Sequence, residues 1–450
     1  MIFIYSPHIT SRLKYVADHL FKNTLGTAYQ LSEDKEGFLN HAGTCINYSA
    51  DNLNQGIQIV PCGLLSEMGV FPRHDLKVST WNGLPCFFFN NATPVPFDLF
   101  AASFYLLTLY EEYCCADYDE HQRFIPDHAT AHQNGFLEIP LVDRWAYRLK
   151  DLLIARFGGS DQYKLRKYQA VSTMDVDHPY LYRNKGLLKN AWGACRDLLH
   201  GKRTAVGVRI RTLLHLADDP YMQSIRQFDA IHKQLKRTYY LFVLIAEYGR
   251  YGRATIYPQR KYFNYVKSLK AIIPCLHASY RTLFDGARRE KERTILERLL
   301  QRKISRNRQH YLRIHIPETY RSLANSGFEE DFSLAFAKTP GFRSGTAIPH
   351  YFFDVENNNC TSLLLRPTTV MDTCLIAHLG LSPDKALERL SALARACKQS
   401  GGDFVMLWHN SNLTGTAAQN PWINVFTESY KYALSLEEIN NFEPQKQHCL

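Results

Sequence analysis

Tyr168-Gln169-Ala170-Val171-Ser172-Thr173-Met174-Asp175-Val176-Asp177-His178 is an apolar, β-branched run that ends on two carboxylates. Its composition predicts a buried strand over Tyr168 to Met174. On an extended segment successive side chains alternate, so Asp175 and Asp177 point to the same side. Two like charges that close are unfavourable unless a cation or a proton sits between or beside them. A divalent metal held by one carboxylate answers that, and it leaves the other free as a general base. The bland alternative is a loop Asp-x-Asp that caps a helix or faces solvent.

The same arrangement recurs downstream. Strand-like runs are predicted over Tyr239 to Ile245, Ala271 to Leu276, Gln309 to Ile314, Ser362 to Leu365 and Phe404 to Trp408, with a weaker one over Phe328 to Phe332. Helical patterns fall between them, around Ile225 to Leu235, Tyr262 to Leu269, Glu290 to Arg302, Pro317 to Asn325 and Pro383 to Lys398. Strand–helix alternation predicts an α/β fold with a parallel sheet, either a barrel or a doubly wound sheet. Polar residues suited to chemistry sit just past these runs. His277 follows Ile272 to Leu276, Asp331 follows Phe328, and His409 follows Phe404 to Trp408. In a parallel barrel all the carboxyl ends of the strands share the face that carries the active site. His310, in Arg308-Gln309-His310-Tyr311-Leu312-Arg313, crowds an imidazole, a phenol and two guanidinium groups at one predicted strand end. Each histidine taken alone could equally be a satisfied core residue.

Upstream, residues 1 to about 160 mix short strand-like runs (Ile2 to Tyr5, Gln58 to Pro61, Phe87 to Phe89) with helical ones. The clearest helix starts near Pro96-Phe97-Asp98, runs to Tyr113 and is apolar nearly all round, which predicts burial. Another follows Leu141-Val142-Asp143-Arg144-Trp145, and Gly158-Gly159-Ser160-Asp161 then breaks the pattern. The break predicts a boundary between an α/β domain over 1–160 and a second domain over 161–450.

With 45% hydrophobic and 21% charged residues, the chain is not of disordered composition. No apolar run is long enough to cross a membrane, and the N-terminus reads as a first strand rather than a signal peptide. The cysteines, 11 in all, are odd in number and scattered. Reduced thiols and a cytoplasmic location are therefore expected. Of the net charge of +10, much lies in 281–313, where Lys and Arg outnumber Asp and Glu. Such a stretch can serve an anionic glycan, a membrane surface or nucleic acid. It can also be a solvated helix face, because Ile295, Leu296, Leu299 and Leu300 recur at helical spacing through it. Nucleic acid rests on charge alone and is not expected.

Taken together, these residues resemble a known family. Thr173-Met174-Asp175-Val176-Asp177-His178 resembles the first motif of the polysaccharide deacetylase superfamily (NodB homology, similar to carbohydrate esterase family 4) in its Asp-x-Asp form. His277-Ala278-Ser279-Tyr280 resembles the second motif, Arg308-Gln309-His310-Tyr311 falls where the third belongs, and Leu407-Trp408-His409 resembles the closing one. Gly341-Phe342-Arg343-Ser344-Gly345-Thr346, Pro96-Phe97-Asp98, Tyr110-Glu111-Glu112-Tyr113 and Arg123-Phe124 resemble a bacterial branch with an uncharacterised N-terminal domain.

The resemblance implies a distorted seven-stranded (β/α) barrel preceded by a smaller α/β domain. It implies a divalent metal, zinc foremost, on Asp177 and His277, with Asp175 as general base, Arg308 orienting that base and His409 as general acid. Leu407 would line an apolar wall for the acetyl methyl. Tyr311 and Arg343 are the remaining substrate-contact candidates, Arg343 alternatively pairing with Asp331. The chain departs from the family at Arg281, where the second motif usually supplies its second histidine. His310 is the expected replacement ligand, and His178 competes for that role. The implied activity is removal of an acetyl or other acyl group, from an amide or ester, on an acetylated carbohydrate or lipid-linked glycan precursor in surface polysaccharide or lipopolysaccharide synthesis. Peripheral membrane contact through the 281–313 stretch would suit a lipid-linked substrate. The alternative is a non-catalytic relative that binds a glycan or a partner through the same cleft.

Overall fold

The computed structural model describes residues 1–72, 76–246, 251 and 260–438. Near the N-terminus β1 (Ile2–Tyr5), β2 (Tyr29–Ser32), β3 (Cys45–Asn47) and β4 (Ile57–Gln58) form a parallel sheet in the order β2-β1-β3-β4. A hairpin of β5 (Ser79–Trp81) and β6 (Leu84–Cys86) follows. The apolar helix predicted from Asp98 to Tyr113 is buried along Leu99–Leu107, and the Asp98 carboxylate caps it by accepting the Ala101 N–H at 2.9 Å. It does not run on unbroken. Leu109 takes a left-handed conformation (φ 56°), and Tyr110–Tyr113 forms a separate turn of helix.

The second sheet carries Asp175, His277 and His409. Its order is β12 (His350–Asp354), β13 (Asn359–Leu365), β11 (Glu330–Asp331), β10 (Arg306–Gln309), β9 (Ile272–Ala278), β8 (Tyr239–Leu244), β7 (Gln169–Val176), β15 (Asp403–His409) and β14 (Val370–Met371). Every pairing is parallel except that of β12 with β13. One bent segment joins the two ends of this order. β13 pairs with β11 and β14 pairs with β15. Between them the Arg366 N–H donates to the Asp331 carbonyl (2.9 Å), Thr368 N–H to Leu334 (2.9 Å) and Thr369 N–H to Val405 (3.0 Å). The predicted strand over Gln309 to Ile314 is corrected here. The strand is Arg306–Gln309, and the chain turns at Tyr311 and Leu312, with φ of 64° and 54°.

Two large apolar clusters fill the molecule. One gathers mainly residues before 154, joined by Phe336, Phe353 and Val355; the other gathers mainly residues after 167. The segment Gly341 to Thr346 is the seam between them. A Cβ at Gly341 would lie 2.6 Å from the Leu137 carbonyl oxygen, where no side chain fits. Phe342 N–H donates to Leu137, Val142 N–H donates to Gly345, and Asp143 accepts from the Thr346 hydroxyl and the Ala347 N–H. The basic stretch 281–313 is mainly the helix Gly286–Leu300, which buries Leu296 and Leu300. Arg289 and Arg308 are themselves buried, so its charges do not make one continuous surface. Among the described residues no helix is long and apolar enough to cross a membrane, and no cysteine is in a disulfide; Cys449 lies outside them.

Candidate metal centre and acid–base site

Register decides which side chains meet. β7 and β15 run parallel with Thr173 opposite Leu407 and Asp175 opposite His409. On the other side His277 of β9 is in register with Arg308 of β10. Side chains on these strands alternate, so Thr173, Asp175, Leu407 and His409 fall on one face.

At the carboxyl end of β7, Asp177 Oδ1 lies 3.2 Å from His277 Nε2 and 3.5 Å from His310 Nε2. The ligand atoms of Asp177, His277 and His310 all lie within 4.8 Å of one another. Their surroundings favour a cation. His277 Nδ1 lies 3.0 Å from the Arg308 carbonyl, so it donates there and Nε2 keeps its lone pair. Asp177 Oδ1 and His277 Nε2 are buried without a hydrogen-bond partner, a costly state that a bound cation relieves. Three donors about 2.1 Å from a tetrahedral ion sit roughly 3.4 Å apart, close to the spacings between Asp177 and the two histidines. Two imidazoles and one carboxylate suit a borderline divalent ion, so the residues present fit the implied metal. Burial alone would raise the Asp177 carboxyl, but the two histidines that face it, His310 foremost, hold it well below the usual carboxylate range. Burial opposes the charging of His277, yet Asp175 and Asp177 raise it; burial wins at His310, which is lowered.

Asp175 is held differently. Arg308 Nη1 donates to its Oδ1 at 2.6 Å and to Thr173 Oγ1 at 2.9 Å. The same guanidinium donates to the Phe332 carbonyl and to Thr368, and it lies 4.1 Å from the Phe242 ring centroid. It is fully buried with its donors engaged in several directions, so it fixes the carboxylate rigidly. The other oxygen of Asp175 faces the cluster, 3.6 Å from His277 Nε2.

Opposite stands His409, whose Nδ1 lies 2.7 Å from Asp372 Oδ1 while its own N–H donates to Asp372 Oδ2. Burial would lower the imidazole, but the Asp372 charge and hydrogen bond, followed by Asp177 and Asp175, push it up to about 10. Sequence reasoning missed Asp372. The only signal was a carboxylate just past the two-residue strand Val370–Met371, too short to register as one.

Leu407 is buried against Leu312, Ala335, Met371 and Cys374, an apolar lining beside the polar cluster. Tyr311 is 38% exposed, with its ring 4.7 Å from that of His310. Its neighbours are the rings of His121, Tyr251 and Tyr280, an aromatic surround also missed in the sequence. Two adjacent left-handed residues with side chains cost about 1–2 kcal/mol each, strain of the kind concentrated at functional turns.

Arg343 is not one of the three residues that could hold a metal ion, and it pairs with Glu112 rather than with Asp331, which corrects the pairing expected for it. Its guanidinium is 2% exposed and grips both oxygens of Glu112 at 2.8 and 2.6 Å, with a third bond to the Ala335 carbonyl. Asp331 instead accepts from Asn307 and Ser333, and burial raises its carboxyl to about 6. Arg281 sits on an exposed turn. His178 is not among the three residues that could hold a metal ion. His310→Ala is therefore expected to weaken divalent-metal affinity by at least about a hundredfold, beyond the typical effect of losing an outer contact. His178→Ala should leave it unchanged, as isothermal titration of both variants would show; the reverse order would exchange their roles.

A family of unknown function, DUF7033, matches residues 2–158. No curated protein matches the chain. Similar solved structures include a provisionally assigned polysaccharide deacetylase from Mycobacterium smegmatis, at 15% identity and TM-score 0.37 over 63% of this chain and 95% of that one. Another provisionally assigned one, from Pseudomonas aeruginosa PAO1, shows 12% identity and TM-score 0.37 over 60% and 85%. A polysaccharide deacetylase from Bacillus cereus shows 10% identity and TM-score 0.30 over 63% and 93%. Likeness of this extent leaves the chemistry to be argued from the site's own atoms.

Proposed function

We propose that the chain is a metal-dependent hydrolase that removes an acetyl or similar acyl group from an amino sugar or O-acetylated sugar. The observation that carries this is that the carboxyl ends of neighbouring strands hold a three-residue group able to bind a metal, together with an arginine-held carboxylate and an aspartate-held imidazole. Asp177, His277 and His310 would hold the ion, with zinc the best match to two imidazoles and a carboxylate. When bound, such an ion polarises an acyl carbonyl and lowers the pKa of water.

The remaining steps belong to the chain's own side chains. Asp175, with one oxygen fixed by Arg308 and the other facing the cluster, takes the proton from the attacking water. His409, kept protonated by Asp372, gives a proton to the departing amine or hydroxyl. Leu407 and its neighbours exclude water from the acyl methyl. The Tyr311 ring, with the aromatic groups around it, offers a face for the sugar.

On this reading the second sheet is a distorted seven-stranded barrel in which the bent segment from β13 to β14 supplies one stave. Residues 1–160 are a separate α/β domain docked on it. The scattered cysteines support a reducing, cytoplasmic setting and hence a precursor glycan, lipid-linked or free, as substrate. A non-catalytic glycan-binding relative is the second reading, favoured by Arg281 in place of the usual histidine. Acetate release from acetylated amino sugars by the purified chain, abolished by a chelator and restored by added metal, would support the first. Binding of the sugar without any release would support the second.

The Asp372 contact predicts a pH effect. A general acid works while protonated, so activity is lost as pH rises through the His409 pKa. Asp372→Asn removes the charge that raises it, and the alkaline limb of kcat should move down by about one to two pH units. A limb that stays in place would mean His409 is not the acid.

A further inference from the structure

We infer that the helical pair Leu187–Leu199 and Arg203–Leu213 docks the protein on an anionic lipid bilayer. The pair is inserted between β7 and the helix Pro220–Gln234, so it rises from the connection that follows Asp177, at the rim where the metal-ligating group sits. Its surface is unlike the rest of the molecule. Of the twenty large apolar side chains exposed among the described residues, nine fall within residues 187–216. Leu187, Leu188 and Leu199 are 86, 88 and 86% exposed, and Trp192 is 67% exposed. Leu188, Trp192 and Leu199 recur at helical spacing with Leu187 and Leu198 beside them, so they make one stripe rather than a scatter.

The apolar stripe is not simply waiting to fold inward. The opposite face of the pair is already packed: Arg209 is buried, bonds Asn190 and Asp197 and lies 4.4 Å from the Tyr182 ring centroid. A Cβ at Gly193 would come within 2.7 Å of that guanidinium. Asp219 accepts the N–H groups of Leu181, Tyr182 and Arg183 and fixes the entry to the pair.

Charge decides the occupant. From 183 to 216 the chain carries eight Lys and Arg against one acid, Asp197, and that acid is engaged by Arg209. Lys189, Arg196, Lys202, Arg203 and Arg211 are exposed. A second copy of the chain would set this positive surface against itself. Nucleic acid would leave the leucines and Trp192 in water. A bilayer containing anionic lipid takes both, since its headgroups meet the cations while its acyl boundary receives the apolar stripe. The inference deepens the proposed function by bringing the site to a lipid-linked substrate, but it rests on the helical pair alone.

The test is co-sedimentation of the full chain with vesicles of phosphatidylcholine, with and without roughly 30 mol% phosphatidylglycerol. The chain should bind the anionic vesicles and be weakened by salt. Leu188→Glu with Leu199→Glu should reduce the partition coefficient at least about tenfold, because two apolar anchors become charges facing anionic lipid. Lys202→Ser, Arg203→Ser and Arg211→Ser together should reduce it about a hundredfold. All these side chains are exposed, so circular dichroism should be unchanged. Failure to bind anionic vesicles at low salt, or variants that bind like wild type, would overturn the inference. So would self-association that the double Glu variant abolishes in a chain that ignores vesicles. Acetate release from a soluble acetylated amino sugar should be the same in the double Glu variant and in wild type, so the two proposals fail separately.

Discussion

Asp175→Asn is expected to retain the divalent metal and to lower kcat by about 10²–10⁴, the usual contribution of a positioned general base. An amide keeps the shape of the pocket and can still accept the Arg308 hydrogen bond of 2.6 Å, but it cannot usefully take a proton. Asp177→Ala should do something different in kind. It removes the oxygen that both His277 and His310 face, so metal binding and hydrolysis should disappear together. Elemental analysis and acetate release on the two variants separate the roles. If Asp175→Asn loses the metal and Asp177→Ala keeps it, the two aspartates have been assigned the wrong way round. Thermal melts belong with the assay, because breaking a buried pair with Arg308 costs about 3–5 kcal/mol when one charge is left uncompensated.

Arg343→Ala should also be strongly destabilising, here with no site residue involved. Its partner Glu112 is 4% exposed, and removing the guanidinium strands a buried carboxylate at the seam between the two apolar clusters. A loss of about 3–5 kcal/mol is expected in urea unfolding. Arg343→Met with Glu112→Leu should recover most of that loss, because the cost lies in the unpaired charge rather than in the missing bridge. Whatever fraction of Arg343→Ala remains folded should bind metal like wild type. A well-folded variant with a raised KM would instead return Arg343 to substrate contact.

The contrast between Asp177 and Arg343 shows what can be read from the sequence. Asp175, Asp177, His277 and His409 stand immediately past apolar runs, and a strand of period two carries each to a definite face and end. Local pattern therefore places each at or just past the carboxyl end of a strand. His310 was legible for the same reason, although the strand leading to it was placed too far along. No glycine marks the turn at Tyr311 and Leu312, because their left-handed conformation is imposed by surrounding packing rather than by local preference. Arg343 and Glu112 are 231 residues apart, and nothing local to either announces the other. Gly341 and Gly345 drew attention in the sequence for good reason, but the reason is close packing at the seam. Asp372 was hidden by the shortness of its strand. The leucines of 187–199 form a clear amphipathic pattern, but a pattern alone does not say whether protein or solvent faces it.

The most direct test of the metal-dependent site is an anomalous difference map from crystals of the intact chain grown with zinc. One strong peak is expected, bonded to Asp177 Oδ1 and to the Nε2 atoms of His277 and His310, at about 2.0–2.2 Å from each. A map from zinc-saturated crystals with no peak between these three side chains, or with the ion held elsewhere, would contradict it.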